Sequence, residues 1–220
     1  MREYRLKASQ NSPKQNNEKL RKKILNAAHD AADSIGYQIL GTFEFLVDRE
    51  KKFYFMEANT RVQVEHPITE MVYGVDLIKE QIKIAAGEKL SLRDLEMSGH
   101  SIECRINAED PETFIPSSGK IEFVVLPGGQ GIRVDSAAYQ GWTIPPDYDS
   151  LLAKVSVRAP SRKEAIQKMQ TALEMTTIVG IKTNIPLHIA ILSNSDFKKG
   201  NTTIQFLENF LAEKAAKRKT

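Results

Sequence analysis

Cysteine is nearly absent: Cys104 is the single thiol in 220 residues. That excludes an internal disulfide framework and any cysteine-rich metal site. No apolar run approaches the ~20 residues of a membrane span. The N-terminus carries no apolar signal-peptide core. These absences predict a chain with no membrane span, in the cytoplasm or in an organelle matrix. Repeats and low-complexity tracts are also missing. With 41% hydrophobic and 27% charged residues, the composition excludes collagen, a coiled-coil rod and wholesale disorder.

Net charge is small, +3, but unevenly spread. Residues 1–23 hold eight Lys/Arg against two acids, and residues 211–220 hold four against one. The body between them therefore carries 19 basic and 25 acidic residues, a charge of −6. Basic ends can attract nucleic acid. No basic–aromatic patch accompanies them, so nucleic acid is not expected as a partner.

Ser9 to Asn17 is polar and reads as a linker. Leu20, Ile24, Ala27, Ala31 and Ile35 recur at helical spacing, with Gly36 as the stop. Residues 38–47 and 53–58 are aromatic and β-branched around the polar Asp48–Lys52, which predicts a β-hairpin. Helices are expected at 68–73 and 76–86. Beyond Ser98 the texture changes to short strands at 100–107, 120–126, 131–135 and 151–158. Ser161 and Glu164 form a capping box before a helix reaching about Thr176. Further helices are expected at 185–192 and 203–214. The fold class is α+β, with domains at 1–96 and 97–220.

Glu44 and Glu57 stand in otherwise apolar strands. If the turn is centred between Glu50 and Lys51, the two face each other across the ladder. Like charges placed opposite are destabilising, so a shared proton, a nearby cationic side chain or a divalent cation must offset them. Asn59, two residues on, adds an oxygen. Two carboxylates and an amide suit Mg²⁺. A solvated strand face is the alternative, since a one-residue slip would turn one side chain away. Arg61, Gln63 and Glu65 continue the alternation. They offer a guanidinium fork for a planar anion and a carboxylate able to accept a proton. The row Glu57-x-Asn59-x-Arg61-x-Gln63-x-Glu65 is more than a solvated face requires.

GTFEFLVDREKKFYFMEANTRVQVEHPITE resembles the distal end of the ATP-grasp domain of biotin carboxylases. FMEANTRV is also similar to a signature of carbamoyl-phosphate synthetases. GVDLIKEQIKIAAGEKL, ECRINAEDP, PPDYDSLLAKV and GIKTNIPL follow in the family's order. The resemblance covers about Leu20 to Phe210.

The resemblance implies carboxylation of biotin on a carrier protein, using ATP with Mg²⁺ or Mn²⁺ and bicarbonate. By similarity, Glu44, Glu57 and Asn59 hold the metal ions, while Glu44 and Glu57, with Leu46 against the adenine, serve ATP. Arg61, Gln63 and the backbone of Val64 bind bicarbonate, and Glu65 deprotonates it. Arg105 stabilises negative charge on biotin's ureido oxygen. Read from its neighbours alone, Arg105 is a strand arginine paired with Glu103 or Glu109. His29, His100 and His188 suit no metal cluster, and Cys104 and Trp142 read as packing residues.

Family members are about twice as long. Their glycine-rich phosphate lid and ATP-binding lysines have no counterpart here, so this chain alone is expected not to turn over ATP. The absence of a biotin-attachment segment points to the separate subunit of acetyl-CoA carboxylase, in fatty acid synthesis, partnered by biotin carboxyl carrier protein and carboxyltransferase subunits. A pyruvate or acyl-CoA carboxylase segment, or a non-catalytic remnant, are the alternatives. Pro127 to Asp135 reads as a hairpin at the family's dimer interface. An aromatic residue is frequent at the Gln130 position, so the implied homodimer is weakened there.

Overall fold

A computed structural model describes residues 18–48, 50–92 and 95–218. The predicted linker at 9–17 lies outside them. The chain divides into two compact units between Ser98 and Gly99. Among the described residues no helix is long and apolar enough to cross a membrane.

The first unit contains α1 (Glu18–Ser34), β1 (Thr42–Val47), β2 (Phe53–Asn59), α2 (His66–Tyr73) and α3 (Leu77–Ala85). The β1–β2 turn is fastened by Asp48. Its backbone N–H donates to the Lys52 carbonyl at 2.9 Å, and its carboxylate accepts from the Lys52 N–H at 2.8 Å. Phe43, Phe45, Phe53 and Phe55 share one face of the hairpin, with ring centroids 5.7 to 6.5 Å apart. Edge-to-face and tilted packing of this kind orders a two-stranded sheet that hydrogen bonds alone hold weakly. Pro67 opens α2, where its missing N–H costs nothing. Gly74, at φ 67°, closes it. Asp76 caps α3 by accepting from the Lys79 N–H at 2.8 Å.

The second unit contains β3 (His100–Asn107), β4 (Gly119–Lys120), β5 (Phe123–Val125), β6 (Ile132–Ser136), β7 (Thr143–Ile144) and β8 (Leu151–Ala159). Then come α4 (Arg162–Glu174), β9 (Thr177–Val179), α5 (Ile185–Ser193), α6 (Ser195–Lys199) and α7 (Phe206–Arg218). The main sheet is antiparallel in the order β3-β8-β6. Ile102, Cys104 and Ile106 of β3, with Val155 and Val157 of β8, bury against Ala165, Ile166, Met169 and Leu173 of α4. Each large side chain so buried contributes roughly 1.5–3 kcal/mol. Ser161 starts α4 as expected: its hydroxyl donates to the Glu164 carboxylate at 2.7 Å and accepts the Glu164 N–H at 3.3 Å.

The fold is α+β, and two local expectations change. The 120–126 run is broken into β4 and β5, which pair with different partners, β7 and β9. The Pro127–Gly131 stretch is not a hairpin turn. It links β5, paired to β9, with β6, paired to β8. Adjacent strands were assigned to each other on turn chemistry alone, whereas the apolar residues of β6 are satisfied by β8.

Candidate functional site

The β1–β2 hairpin has a second face, opposite the phenylalanines. Thr42 pairs with Asn59, Phe43 with Ala58 and Glu44 with Glu57. Nearer the turn the register shifts, so that Phe45 pairs with Phe55 and Val47 with Phe53. Met56 is the extra residue, a β-bulge. A turn centred between Glu50 and Lys51 is therefore half right. Near the turn the ladder is one residue out, and the bulge restores the Glu44–Glu57 pairing.

The two carboxylates are held by amides. Asn59 Nδ2 donates to Glu44 Oε1 and to Glu57 Oε1, both at 2.9 Å. Gln63 Nε2 donates to the same Glu44 oxygen at 2.9 Å. Positive N–H dipoles thus face both carboxylates. Asn59 turns its Oδ1 towards Arg61, whose Nη2 donates to it at 3.4 Å. Arg61 Nη1 donates to the Val62 carbonyl at 3.3 Å.

Glu44, Asn59, Gln63, Val64 and Glu65 are half-buried, while Glu57 and Arg61 are exposed. Leu46 lies two residues from Glu44 on the same strand and is 52% exposed. Glu44, Glu57, Asn59, Arg61 and Gln63 form one hydrogen-bonded group.

Period-two alternation ends at Gln63. Val64 and Glu65 form a turn closed by the His66 N–H to the Gln63 carbonyl at 3.3 Å. Glu65 takes the N-cap position of α2 with φ −82° and ψ 9°. His66 Nδ1 lies 2.9 Å from the Gln63 carbonyl. Since a carbonyl only accepts, Nδ1 carries the proton. Sequence reading passed over this histidine's role in shaping the turn.

The donor set fits a hard cation. Two carboxylates and two amides can all present oxygen once the amides rotate by half a turn, a choice that hydrogen bonding decides. Among the described residues no group of three or more His, Cys, Asp or Glu side chains forms a metal site.

Arg105 lies in the second unit, exposed on β3 and paired with Lys154 of β8. Its neighbour Cys104 is buried, and burial, aided by Glu103, pushes the thiol up to about 12. The Arg105 carbonyl accepts from Asn184 Nδ2 at 3.1 Å and from His188 Nε2 at 2.8 Å. Neither partner was singled out as functional from sequence. Asn184 stands at the N-terminus of α5, just before Ile185-Pro186. Gln130 is exposed, and its carbonyl accepts from Lys168 Nζ at 3.1 Å.

Comparison with known proteins bears on this arrangement. Residues 103–209 match the biotin carboxylase C-terminal domain, and residues 10–93 match the ATP-binding domain of the carbamoyl-phosphate synthase L chain. The chain is 53% identical over 196 residues to biotin carboxylase of Haemophilus influenzae, covering 88% of this chain and 44% of that one. A Campylobacter jejuni biotin carboxylase structure, a complex with β-γ-ATP, aligns with TM-score 0.84 at 45% identity, covering 88% and 44%. The biotin carboxylase domain dimer of Hydrogenobacter thermophilus 2-oxoglutarate carboxylase, a complex with MgADP, ADP and bicarbonate, aligns with TM-score 0.85 at 48% identity, covering 88% and 43%. The chain spans less than half the length of these relatives. Its sequence, its fold and the order of its two matched regions place it in the biotin carboxylase family of ATP-grasp ligases.

Proposed function

We propose that this chain is the portion of a biotin carboxylase that carries the metal–phosphate end of the ATP site, the bicarbonate site and the C-terminal domain. Residues 1–96 supply the distal ATP-grasp portion and residues 97–220 the C-terminal domain. With the rest of the fold, it carboxylates biotin on a carrier protein at the expense of ATP. The observation that carries this reading is the hydrogen-bonded group of Glu44, Glu57, Asn59, Gln63 and Arg61 on one hairpin face.

Glu44, Glu57 and Asn59 are the residues to hold Mg²⁺ or Mn²⁺. When bound with ATP, the ion neutralises charge on the transferring phosphates. Leu46 offers an exposed apolar surface to the adenine. Arg61 presents a two-pronged donor to bicarbonate, joined by Gln63 and the Val64 backbone. The Glu65 carboxylate takes the bicarbonate proton. The freed oxygen then attacks the γ-phosphorus, the bond to ADP breaks, and carboxyphosphate forms. Arg105 stabilises negative charge developing on the ureido oxygen of biotin.

The H. thermophilus relative is a dimer with MgADP and bicarbonate, which supports the same ligands and a homodimer for this chain. Exposed Gln130 weakens that contact. The carrier protein and carboxyltransferase subunits of acetyl-CoA carboxylase, acting in fatty acid synthesis in the cytoplasm, are the further partners.

Bicarbonate-dependent ADP release tests the reading. The 220-residue chain alone is expected to show none. The chain joined to the remaining portion of the H. influenzae relative is expected to show it, and to lose it in Glu65→Gln. Full activity in Glu65→Gln would overturn the assignment.

A further inference from the structure

The geometry points to Asn184 and His188 as a clamp that positions Arg105 by gripping its backbone. This rests on the reading of Arg105 as the arginine that faces biotin.

β3 is an edge strand, paired on one side to β8. Its other side at Arg105–Asn107 is taken by the start of α5. Asn184 is buried, and almost every polar atom it has is spent on this strand. Its backbone N–H donates to the Asn107 carbonyl at 3.2 Å. Its Oδ1 accepts the Asn107 N–H at 2.9 Å, and its Nδ2 donates to the Arg105 carbonyl at 3.1 Å. Nδ2 also lies 3.2 Å from Glu109 Oε1.

Asparagine at a helix start ordinarily caps its own helix. Here the Asn184 side chain makes no capping bond. It serves β3 instead. One turn later, His188 Nε2 meets the same Arg105 carbonyl at 2.8 Å. Burial holds His188 below the ordinary histidine range, so the ring is neutral at neutral pH. The carbonyl is an acceptor only, so Nε2 carries that ring's one proton.

The grip sits where the β3–β8 ladder is irregular. Arg105 pairs with Lys154 and Ile106 with Ala153, but Asn107 pairs with Leu151, so the ladder slips between Ile106 and Asn107, with Leu152 of β8 as the extra residue. A bulge interrupts the ladder locally and changes the twist beside it, so the sheet itself holds β3 less firmly there. Two donors on the Arg105 carbonyl and two bonds to Asn107 fix it there. The guanidinium then projects from an anchored backbone, as a group that must meet developing charge requires.

Two measurements test this. In the 220-residue chain, the Arg105 Nε–H resonance, assigned by its loss in Arg105→Lys, is expected to be dispersed. It should collapse towards the random-coil position in Asn184→Asp and His188→Leu, yet persist in His188→Gln, which keeps a donor. His188→Leu decides the matter if Asn184→Asp does not fold. In the chain joined to the remaining portion of the H. influenzae relative, His188→Leu is expected to lower kcat for biotin carboxylation by roughly tenfold to a hundredfold. KM for MgATP should stay within about twofold.

An unmoved Arg105 signal in both donor-less variants overturns the clamp. So do equal losses in His188→Leu and His188→Gln. Unimpaired biotin carboxylation in Arg105→Ala instead overturns the role of Arg105, and the resonance measurement still decides the clamp.

Discussion

Glu44 and Glu57 face each other across the hairpin, and the amide nitrogen of Asn59 donates to both. Opposed carboxylates that share one neutral donor are an arrangement a cation improves. Mn²⁺ titration followed by water relaxation is expected to show binding weaker by about tenfold or more in Glu57→Gln than in the parent chain. Equal weak binding in both would remove the hairpin as the metal site.

Glu80 ties the segment after α3 to that helix. Its Oε1 accepts from Lys83 Nζ at 2.7 Å and from the Ser91 hydroxyl at 2.8 Å, and its Oε2 accepts the Ser91 N–H at 3.0 Å. These bonds, that from Lys83 first, lower its carboxyl from 4.5 to about 2. A carboxyl lowered on folding adds stability above its unfolded value and loses it as pH falls through the folded one. Exchange of the Ser91 amide should therefore stay protected above about pH 4.5 and lose protection towards about pH 2. In Glu80→Gln the profile should be flat and unprotected across that range.

Cys104 is shielded by the α4 side of the sheet, and burial raises its thiol to about 12. Thiolate is the reactive form. The folded chain is expected to resist a thiol-specific disulfide reagent at mildly alkaline pH and to react with one equivalent in denaturant. Rapid labelling of the folded chain would contradict the packing of β3 against α4.

Gly131 sits at φ 74°, where a Cβ would lie 2.7 Å from the Arg158 carbonyl and 2.8 Å from Lys168 Nζ. Gly131→Ala combines left-handed strain with a backbone clash. It is expected to destabilise the second unit by about 2 kcal/mol or more in urea unfolding. A loss below about 0.5 kcal/mol would mean that the loop relocates freely.

Much of this was legible in the sequence because it rests on local chemistry. Ser161 with Glu164 marked the start of α4, and the short strand-like runs at 100–107 and 151–158 marked β3 and β8. The strands β7 and β9 escaped because runs of two and three residues have no period to detect. Their existence depends on the strands they pair with. Asn184 escaped because its value lies in reaching β3 across 77 residues of chain, a contact that only the tertiary fold creates. Alternation in the sequence groups Glu65 with Arg61 and Gln63. The helix that begins at His66 nevertheless bends the chain before the alternation can reach it.

The bulge at Met56 also separates two design demands on one short hairpin. Without it, the ladder near the turn would run on unchanged, set Met56 opposite Glu44, and rotate Glu57 onto the phenylalanine side. With it, the length of the turn and the orientation of the carboxylate face become independent. The hairpin behaves like a sleeve joint. A residue gained or lost at the tip can be taken up at the bulge, leaving the chemistry at the base of the strands in place.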